Sequence, residues 1–421
     1  MANEAYTVSV DFGTSSIKVV VAKSSEEDAN RMQVLSLVEV DSAGMKRGIV
    51  TNMSDATLAL VKALEQTENI IGLPIRRAIF GVNGSGIGFV SSTGLAINTR
   101  QDGEITDSDV DRLVDDARKK AFGINDSEIL HVIPKNYRID NQPGIRNPIG
   151  MIGKKLESNI LLISIESSFL RNFTKVVEQS GVELIGQIYP PLASSDFLLT
   201  LNQKRAGTVM VDIGSATTSY IVWENEEIVT TGTIPIGSDH ITADLAVGLQ
   251  TTIEMADEVK KKYIDLTTHK ERELDTVELH NPDTGLNESF NLREAELYAR
   301  ARVEEIFAML NKDLKKIGKQ GNLAGGGVLI GGGANLKGIL DVAKGILKIP
   351  VFKYKFDPNK IDFVPDYNGD PTFVNAISLV SYYARQENPD SNKSSRRNVS
   401  DMFGGGEGGF GKIVKSWFQK K

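Results

Sequence analysis

Two distant segments of the chain share a pattern of residue types that is suited to binding a polyphosphate. Residues 8–21 and 209–222 each contain an apolar strand, then Asp-x-Gly, then small hydroxyl residues, then a second apolar strand. Glycine lets the turn backbone approach a ligand closely, and turn N–H groups together with hydroxyls form an anion-binding concavity. The pattern predicts two phosphate-facing hairpins, with turn residues Gly13, Thr14, Ser15 and Ser16 in the first and Gly214, Ser215, Ala216 and Thr217 in the second.

An aspartate stands at the end of the first strand in each hairpin. Asp11 and Asp212 are predicted to hold Mg²⁺, through water, because hard cations prefer carboxylate oxygens. Lys18 is predicted to face the phosphates. A single Asp-x-Gly is an ordinary turn signal, and residues 11–13 also imitate a protein-kinase magnesium motif, but the chain has no His-Arg-Asp catalytic loop. Two copies with matching flanks indicate two related domains that clamp one nucleotide.

A glycine-rich segment at 327–339 adds a third element, predicted as a strand, a glycine turn and a helix. Glycines allow the backbone to lie flat against a planar or phosphorylated group, and a following helix N-terminus favours anions. Gly331, Gly332, Gly333 and Asn335 are therefore predicted to contact the nucleotide. The alternative is a tight strand–helix connection without a ligand.

Composition restricts the class of protein. The chain has 421 residues, 40% hydrophobic and 24% charged, which suits a soluble protein of several domains. A net charge of −7 argues against general nucleic-acid binding. There are no cysteines, and the four histidines form no zinc-binding cluster. The sequence shows neither a signal peptide nor an apolar run long enough to span a membrane, which predicts a cytoplasmic protein.

The order of predicted elements indicates a duplication. Three strands, a helix near 55–65 and a strand at 77–82 open the chain, and the same order begins again after residue 208. An extra module at 84–161 separates the halves, with a helix at 107–120 and strands near 129–133 and 137–139. A helix at 167–179 returns the chain to the first domain, and an apolar-faced helix at 372–385 closes the folded part.

The last residues predict a membrane contact. Residues 386–409 are rich in Pro, Ser, Asn, Gly and charge, which is typical of a disordered linker, spanning about 25–30 Å root-mean-square. The tip, 410–421, places five apolar residues on one helical face, flanked by lysines that include Lys412 and Lys415. Aromatic and basic residues so arranged suit an anionic membrane surface. A peptide-binding partner or an ordinary core helix are the alternatives. The apolar face consists of Phe410, Ile413, Val414, Trp417 and Phe418.

These features resemble the superfamily of actin, sugar kinases and heat-shock-chaperone ATPases. Within it, the chain resembles the FtsA family of bacterial cell-division proteins through residues 44–50, through 131–137 with 144–157, and through the basic-aromatic tip. The resemblance covers about 6–385 and the last dozen residues. It implies an α/β, actin-like two-lobed ATPase with duplicated ribonuclease-H-like domains, an inserted subdomain in the first lobe, and a disordered linker that ends in an amphipathic helix.

The resemblance also implies a division of the chain and a set of contacts. The expected units are a first actin-like subdomain at 1–83, a self-association subdomain at 84–161, a return to the first lobe at 162–206, a second lobe at 207–385, a linker at 386–409 and a membrane helix at 410–421. ATP and Mg²⁺ are the implied cofactors. Asp257 and Lys260, neighbours on one predicted helix face, resemble ribose and adenine contacts; a solvated ion pair is the alternative.

The implied partners are the FtsZ C-terminal peptide, further copies of the chain, an anionic membrane and, as an open possibility, other division proteins, with no nucleic acid. The FtsZ peptide is expected on a subdomain at about 230–325, near Arg300 and Arg302, although a solvated helix face would look the same. The implied location is peripheral, on the cytoplasmic side of the membrane at the division site.

Whether the chain hydrolyses ATP well is open. Hydrolysis needs a group that orients the attacking water. Related bacterial actins place a glutamate before Pro-x-Ala-Ala, and here Pro190 occupies that position. The sequence therefore predicts slow or negligible turnover and assigns no catalytic residue beyond Asp11 and Asp212 through Mg²⁺. Two alternatives remain: an actin-like pilus-assembly ATPase and a sugar-kinase-type phosphotransferase.

Overall fold

The computed structural model describes residues 6–24, 31–121, 126–267, 275–282 and 285–387. The first lobe opens with β1 (Tyr6–Phe12), β2 (Ser16–Ser24), β3 (Met32–Asp41), the short strands β4 (Met45–Lys46) and β5 (Ile49–Val50), α1 (Met53–Ile71) and β6 (Arg77–Gly81). Helix α1 begins where the Asn52 side chain accepts hydrogen bonds from two backbone N–H groups, and it ends at Gly72, whose φ is 69°. It is longer than the predicted 55–65 because its apolar face continues for another turn.

The inserted module follows, with β7 (Ile87–Ile97), α2 (Asp107–Lys120), β8 (Ser127–Ile139), β9 (Gln142–Ile145) and β10 (Lys155–Glu166). Its strands pair in the order β7-β10-β8-β9, and α2 covers the sheet with a buried face that includes Leu113 and Val114. The predicted boundary at 161 falls inside β10, so the last module strand in fact continues to Glu166. The two strands predicted near 129–133 and 137–139 are one strand, β8, because it passes Pro134 through a bulge.

The chain then returns to the first lobe through α3 (Ser167–Gln179), β11 (Glu183–Ile188), α4 (Pro190–Leu198) and α5 (Leu201–Ala206). The second lobe contains β12 (Thr208–Ile213), β13 (Thr218–Glu224), β14 (Glu227–Ile234), α6 (Ser238–Leu249), α7 (Ile253–Lys262), β15 (Thr276–His280), β16 (Asn287–Asn291) and α8 (Leu292–Lys316). It continues with β17 (Gly326–Ile330), a 3₁₀ turn (Gly332–Asn335), α9 (Ile339–Leu347) and β18 (Val351–Lys353).

A last crossing returns to the first lobe through β19 (Ile361–Phe363), a second 3₁₀ turn (Pro371–Phe373) and α10 (Val374–Glu387). Helix α10 extends two residues past the predicted linker start at 386. The glycine turn is also followed by a 3₁₀ turn and not directly by a helix, since α9 begins only at Ile339. The anion-binding helix N-terminus that the sequence predicted there is therefore absent among the described residues.

The two main sheets show the duplication directly. Their strand orders are β11-β6-β1-β2-β3-β19 and β14-β13-β12-β17-β18. The five strands that correspond are β1, β2, β3, β6 and β11 in the first lobe and β12, β13, β14, β17 and β18 in the second. If each set is numbered 1 to 5 in chain order, both sheets have the spatial order 5-4-1-2-3, and β19 is an addition to the first sheet. In each, an antiparallel hairpin lies beside parallel strands. All six residues of β12 are buried, as expected for a strand covered on both faces. This duplicated α/β architecture, with a module inserted in the first lobe, confirms the expected fold class.

Candidate nucleotide site

The two predicted hairpin turns have the same geometry. The Gly13 N–H donates to the Ser16 carbonyl oxygen at 3.1 Å, and the Gly214 N–H donates to the Thr217 carbonyl oxygen at 3.0 Å. A Cβ on Gly13 would lie 2.8 Å from that oxygen, so a side chain does not fit there. The remaining predicted turn residues lie between these hydrogen-bonded ends: Thr14 and Ser15 in the first turn, Ser215 and Ala216 in the second.

A row of charged side chains crosses the first hairpin on one face. Asp11 is opposite Lys18 in the β1–β2 register, and Lys18 is opposite Glu39 in the β2–β3 register. The Lys18 Nζ lies 3.8 Å from a Glu39 carboxylate oxygen. The corresponding row in the second lobe is Asp212, Ser219 and Thr233. The structure therefore places Lys18 between Asp11 and Glu39, an acid that the sequence did not single out, and its contact with phosphates stays a prediction.

Asn375, at the start of α10, connects the aspartates of the two lobes. Its side-chain amide donates to a carboxylate oxygen of Asp212 at 2.8 Å, and it also hydrogen-bonds to Asp11. Its own oxygen accepts a hydrogen bond from the Ser194 hydroxyl of α4 at 2.9 Å. Asn375 is 8% exposed. Its local signal in the sequence is a polar side chain that interrupts the apolar face of a helix, but its partners lie far away in the chain.

The two carboxylates are incompletely neutralised. Burial raises the pKa of Asp11, and the charge of Lys18 offsets this only in part. Burial raises the pKa of Asp212 to about 6, and the negative charge of Asp11 adds to the effect. Two neighbouring acids that are disfavoured in their charged forms fit a divalent cation, which would supply the missing positive charge. No group of three or more His, Cys, Asp or Glu residues surrounds a metal position within the described part of the chain, so water would have to complete such a site.

The glycine turn lies against the second hairpin. Gly331 has φ 82°, and a Cβ on it would lie 2.3 Å from an Asp212 carboxylate oxygen. A Cβ on Gly333 would lie 2.3 Å from the Ile213 side chain. Gly332 is exposed, and its nearest contact would be Thr372 at 3.4 Å. Gly331 and Gly333 thus allow close packing, and Gly332 is the glycine that presents free backbone. Asn335 donates to Asp370 at 3.0 Å.

The predicted adenosine contacts lie near the same hairpin. The N–H of Asp239, in the first turn of α6, donates to the Ser215 carbonyl oxygen at 2.8 Å. Lys260 of α7 pairs with Asp257 at 2.7 Å and donates to Thr242 of α6 at 2.6 Å. Burial raises the pKa of Asp257, but hydrogen bonds and charges of the adjacent lysines outweigh it, so this pKa lies below its usual value. Lys260 is 11% exposed, which does not fit a solvated surface pair.

Pro190 begins α4 beside the first aspartate. A Cβ on Gly81 would lie 3.0 Å from Pro190 and 3.5 Å from an Asp11 oxygen, so the two side chains flank one point in the cleft. Proline carries no group that orients water. An apolar ring, with no carboxylate, thus lies close to Asp11 at the position where the resemblance implies a water-orienting glutamate.

Comparisons with known proteins identify the family. Residues 84–164 match the family model described as the SHS2 domain inserted in FTSA, and residues 209–378 match the model of the cell division protein FtsA. The cell division protein FtsA of Bacillus subtilis (strain 168) is 31% identical over 386 residues, which cover 91% of this chain and 84% of the relative. The chain belongs to the FtsA family. The FtsA of Streptococcus pneumoniae serotype 2 is 30% identical, with 91% of this chain and 81% of the relative covered.

Solved structures place the FtsA-family chain within a wider fold. The PilM–PilN type IV pilus biogenesis complex matches with a TM-score of 0.63 at 14% identity, covering 90% of this chain and 97% of that one. The ethanolamine utilization protein EutJ from Carboxydothermus hydrogenoformans matches with a TM-score of 0.50 at 17% identity, covering 90% and 89%. At these identities the similarity concerns the fold alone. The sequence relatives therefore decide between the FtsA family and the pilus-assembly alternative.

Two predicted partner residues of this FtsA-family chain are already engaged within the fold. Arg302 of α8 makes two hydrogen bonds to Asp244 of α6, at 2.6 and 2.9 Å, and is 24% exposed. Arg300 donates to the Leu266 carbonyl oxygen at 2.8 Å. The expectation of exposed basic positions was wrong, because both guanidinium groups fasten α8 to neighbouring segments of the second lobe.

The predicted membrane residues lie outside the described residues. They are Phe410, Lys412, Ile413, Val414, Lys415, Trp417 and Phe418, and almost all of the predicted linker lies there too. Among the helices that are described, none is long and apolar enough to cross a membrane.

Proposed function

We propose that this FtsA-family protein binds Mg-ATP between its lobes, polymerises on the membrane and tethers the FtsZ ring to it at the division site. The observation that carries the nucleotide part is the pair Asp11 and Asp212. They occupy equivalent positions in duplicated hairpins, share Asn375 and carry raised pKa values, with the exposed backbone of Gly332 nearby. A magnesium-bound polyphosphate would meet both carboxylates, two glycine turns and Lys18.

The membrane part rests on the sequence of the tip. Five apolar side chains on one helical face, each worth roughly 1.5–3 kcal/mol when fully buried, favour an interface, and partial burial and helix ordering reduce the net gain to a modest affinity. The lysines add up to about 1 kcal/mol each at an anionic surface. One weak anchor per subunit becomes firm in a polymer, since later anchors bind intramolecularly.

Self-association is proposed to use the inserted module. This module forms a sheet of its own, β7-β10-β8-β9, outside the two duplicated sheets, and matches the SHS2 domain inserted in FTSA. A unit added to a duplicated two-lobed fold offers a surface that the fold itself does not use. Deleting the module should leave nucleotide binding measurable and remove filaments on lipid, and intact filaments after the deletion would contradict this role.

The decisive experiment is co-sedimentation with anionic liposomes, combined with negative-stain imaging, with and without Mg-ATP. The proposal expects pelleting that depends on residues 410–421 and filaments on the lipid surface. Truncation after Gly409 is the matched control, because it removes the tip and leaves all described residues. Undiminished pelleting of the truncated protein would contradict the anchor and leave the tip as a partner-binding peptide.

Slow turnover follows from Pro190. A phosphate-release assay at saturating Mg-ATP should give a rate well below the roughly 1–100 s⁻¹ that is typical of kinases. Fast release would show that another group orients the water. Fast transfer of phosphate to a sugar would favour the phosphotransferase alternative.

The FtsZ peptide is proposed to bind the second lobe near α8. Because Arg302 is paired with Asp244, any carboxylate of the peptide would have to compete for a guanidinium that already has a carboxylate partner. The exposed apolar side chains on this part of the lobe offer further contact area. They are Val247, Ile253, Leu286 and Leu297, each about half exposed or more.

A further inference from the structure

A bulge in β8 brings the inserted module into contact with the second lobe. The β8–β10 register shifts between Ser158 and Ile160, opposite Tyr137 and Pro134, so the β8 residues between them bulge outward. These are Lys135 and Asn136. Bulges commonly re-aim side chains, and here they do so toward β14. The Lys135 ammonium donates to the Val229 carbonyl oxygen at 3.0 Å, and the Asn136 N–H donates to a Glu227 carboxylate oxygen at 3.1 Å.

An ion pair reinforces this contact. Arg146, just after β9 in the module, lies 2.8 Å from a carboxylate oxygen of Glu226, in the turn between β13 and β14. Glu226 also pairs with Arg205 of α5 and is 15% exposed, so the acid is held between two arginines. We refer to these contacts as the strap, formed by Lys135, Asn136 and Arg146 of the module with Glu226, Glu227 and Val229 of the second lobe.

The backbone at Glu226 is in a conformation that disfavours this residue. Asn225 has φ 54° and Glu226 has φ 68°, the pattern of a two-residue hairpin turn in which Asn-Gly is the preferred pair. A glutamate at the second position costs stability that a glycine would not. What the position gains is a carboxylate aimed at the module. Because Glu226 keeps an unfavourable backbone conformation while its side chain joins the module to the second lobe, we infer that this contact has a functional role.

The module also touches the helix that lines the nucleotide site. The half-buried ring of His131 accepts a hydrogen bond from the Tyr189 N–H at 2.9 Å, one residue before Pro190. The Tyr189 hydroxyl is 3.2 Å from the Thr231 hydroxyl of β14. The module therefore contacts α4 beside Asp11 on one side and the second lobe on the other. A change in the angle between the lobes must alter these contacts.

We propose that the strap couples nucleotide binding to self-association of the inserted module. The module can keep one orientation only while β14 stays in place, so the lobe position that the nucleotide sets also sets the orientation of the module. This inference rests on the proposed nucleotide binding and self-association. It proposes that nucleotide binding regulates self-association through the contacts of the strap, which lie away from the hairpin turns.

Two variants remove the ion pair of the strap without touching the nucleotide site, and they leave the hydrogen bonds of Lys135 and Asn136 in place. Glu226→Gly removes the carboxylate and also relieves the backbone, so the variant should unfold at an equal or higher temperature than the parent. Arg146→Ala removes the other half of the pair. Arg100→Ala is the matched control, since Arg100 pairs with Asp102 at 2.7 Å within the module and does not reach the second lobe.

The first measurement is hydrogen exchange of the monomer with and without Mg-ATP. In the parent and in Arg100→Ala, exchange in residues 130–146 should respond to Mg-ATP, although this segment lies away from the hairpins. In Glu226→Gly and Arg146→Ala that response should become smaller, while the response of residues 11–16 and 212–217 remains. A segment that ignores nucleotide in the parent, or responds equally in all variants, would overturn the strap. Absence of any response at the hairpins would instead contradict nucleotide binding itself.

The second measurement is the ratio of assembly on lipid with and without Mg-ATP. Breaking the strap should reduce this ratio by about two- to fivefold, the range expected for one partly exposed ion pair, and high salt should reduce the parent in the same direction. Because coupling is reciprocal, assembly should alter Mg-ATP affinity by the same factor in the parent and less in the variants. An unchanged ratio in both strap variants would refute the coupling.

Discussion

Replacing Asp212 with asparagine is expected to stabilise the nucleotide-free protein and at the same time to abolish its response to Mg-ATP. Asp212 is 5% exposed, and burial together with the charge of Asp11 raises its pKa from 3.8 to about 6. The folded state therefore holds a proton that the unfolded state releases between about pH 4 and pH 6. The stability that the protonated form of Asp212 retains is therefore complete below about pH 4 and is lost as the pH rises from about 4 to about 6.

The size of the effect follows from the same values. At about 1.4 kcal/mol for each pH unit, the ionised carboxylate costs the folded state about 3 kcal/mol at pH 7.5. Asparagine has nearly the same shape, can accept the hydrogen bond from Asn375 and carries no charge. The variant should therefore be more stable than the parent by about 2–3 kcal/mol at pH 7.5, and the difference should shrink toward zero near pH 4.

The assay is denaturant unfolding of both proteins at several pH values, with and without Mg-ATP. Ligand at 100 times its Kd should stabilise the parent by about 2.7 kcal/mol and the variant not at all. Asp102→Asn is the control, because its hydrogen bond to Arg100 holds the pKa of Asp102 below its usual value, at about 2, so removing that charge should not stabilise the protein. If Asp212→Asn is less stable than the parent, the Asp212 carboxylate does not carry an uncompensated charge in the folded state. If Mg-ATP still stabilises Asp212→Asn as much as the parent, Asp212 does not hold the cation.

Three further outcomes can be measured on single variants. Gly331→Ala should cost roughly 1–3 kcal/mol of stability because the residue has φ 82°, whereas Gly332→Ala should fold normally and weaken nucleotide binding measured by calorimetry; equal effects would contradict the assignment of the two glycines. Trp417→Glu should release the protein from anionic liposomes while Mg-ATP binding is retained, and full pelleting would exclude the predicted apolar face. Arg302→Glu should weaken FtsZ-peptide binding in fluorescence anisotropy more than Asp244→Ala does, since only the first removes a partner for the peptide; equal losses would indicate a structural role.

The parts of the site that the sequence predicted are those encoded by contiguous residues. Asp11 with Gly13, and Asp212 with Gly214, each lie in one hairpin, so a local pattern of strand, turn and strand was enough to find them. The pairing of two such hairpins followed from their repetition. The helix at 107–120 and the helix at 167–179 were also predicted with their observed bounds, since caps and amphipathic spacing are local signals.

Contacts between distant elements could not be predicted in the same way. Asn375 and Asp212 are far apart in the chain, and the apolar helix face that Asn375 interrupts does not indicate which residues it contacts. Arg302 pairs with Asp244 of another helix, and nothing near either residue in the sequence indicates this pair. The bulge that turns Asn136 toward the second lobe depends on the register between two strands of the module. Each of these three contacts depends on how helices and strands pack against one another, and no local pattern in a single sequence predicts that packing.

Helix α10 connects the site to the place where the described chain ends. Asn375, in its first turn, bridges the aspartates of the two lobes, and Arg385, in its last turn, lies 2.8 Å from Asp196 of α4. Asp196 is also 2.7 Å from Lys204 of α5, the helix that leads into the second lobe. Burial raises the pKa of Asp196, but the charges of Arg385 and Lys204 outweigh this effect and hold the pKa below its usual value. The carboxylate therefore stays charged at neutral pH and keeps both ion pairs. A helix of about 21 Å thus joins Asp11 and Asp212 of the candidate site to the start of the predicted linker, and the Arg385–Asp196 pair fastens its far end to α4.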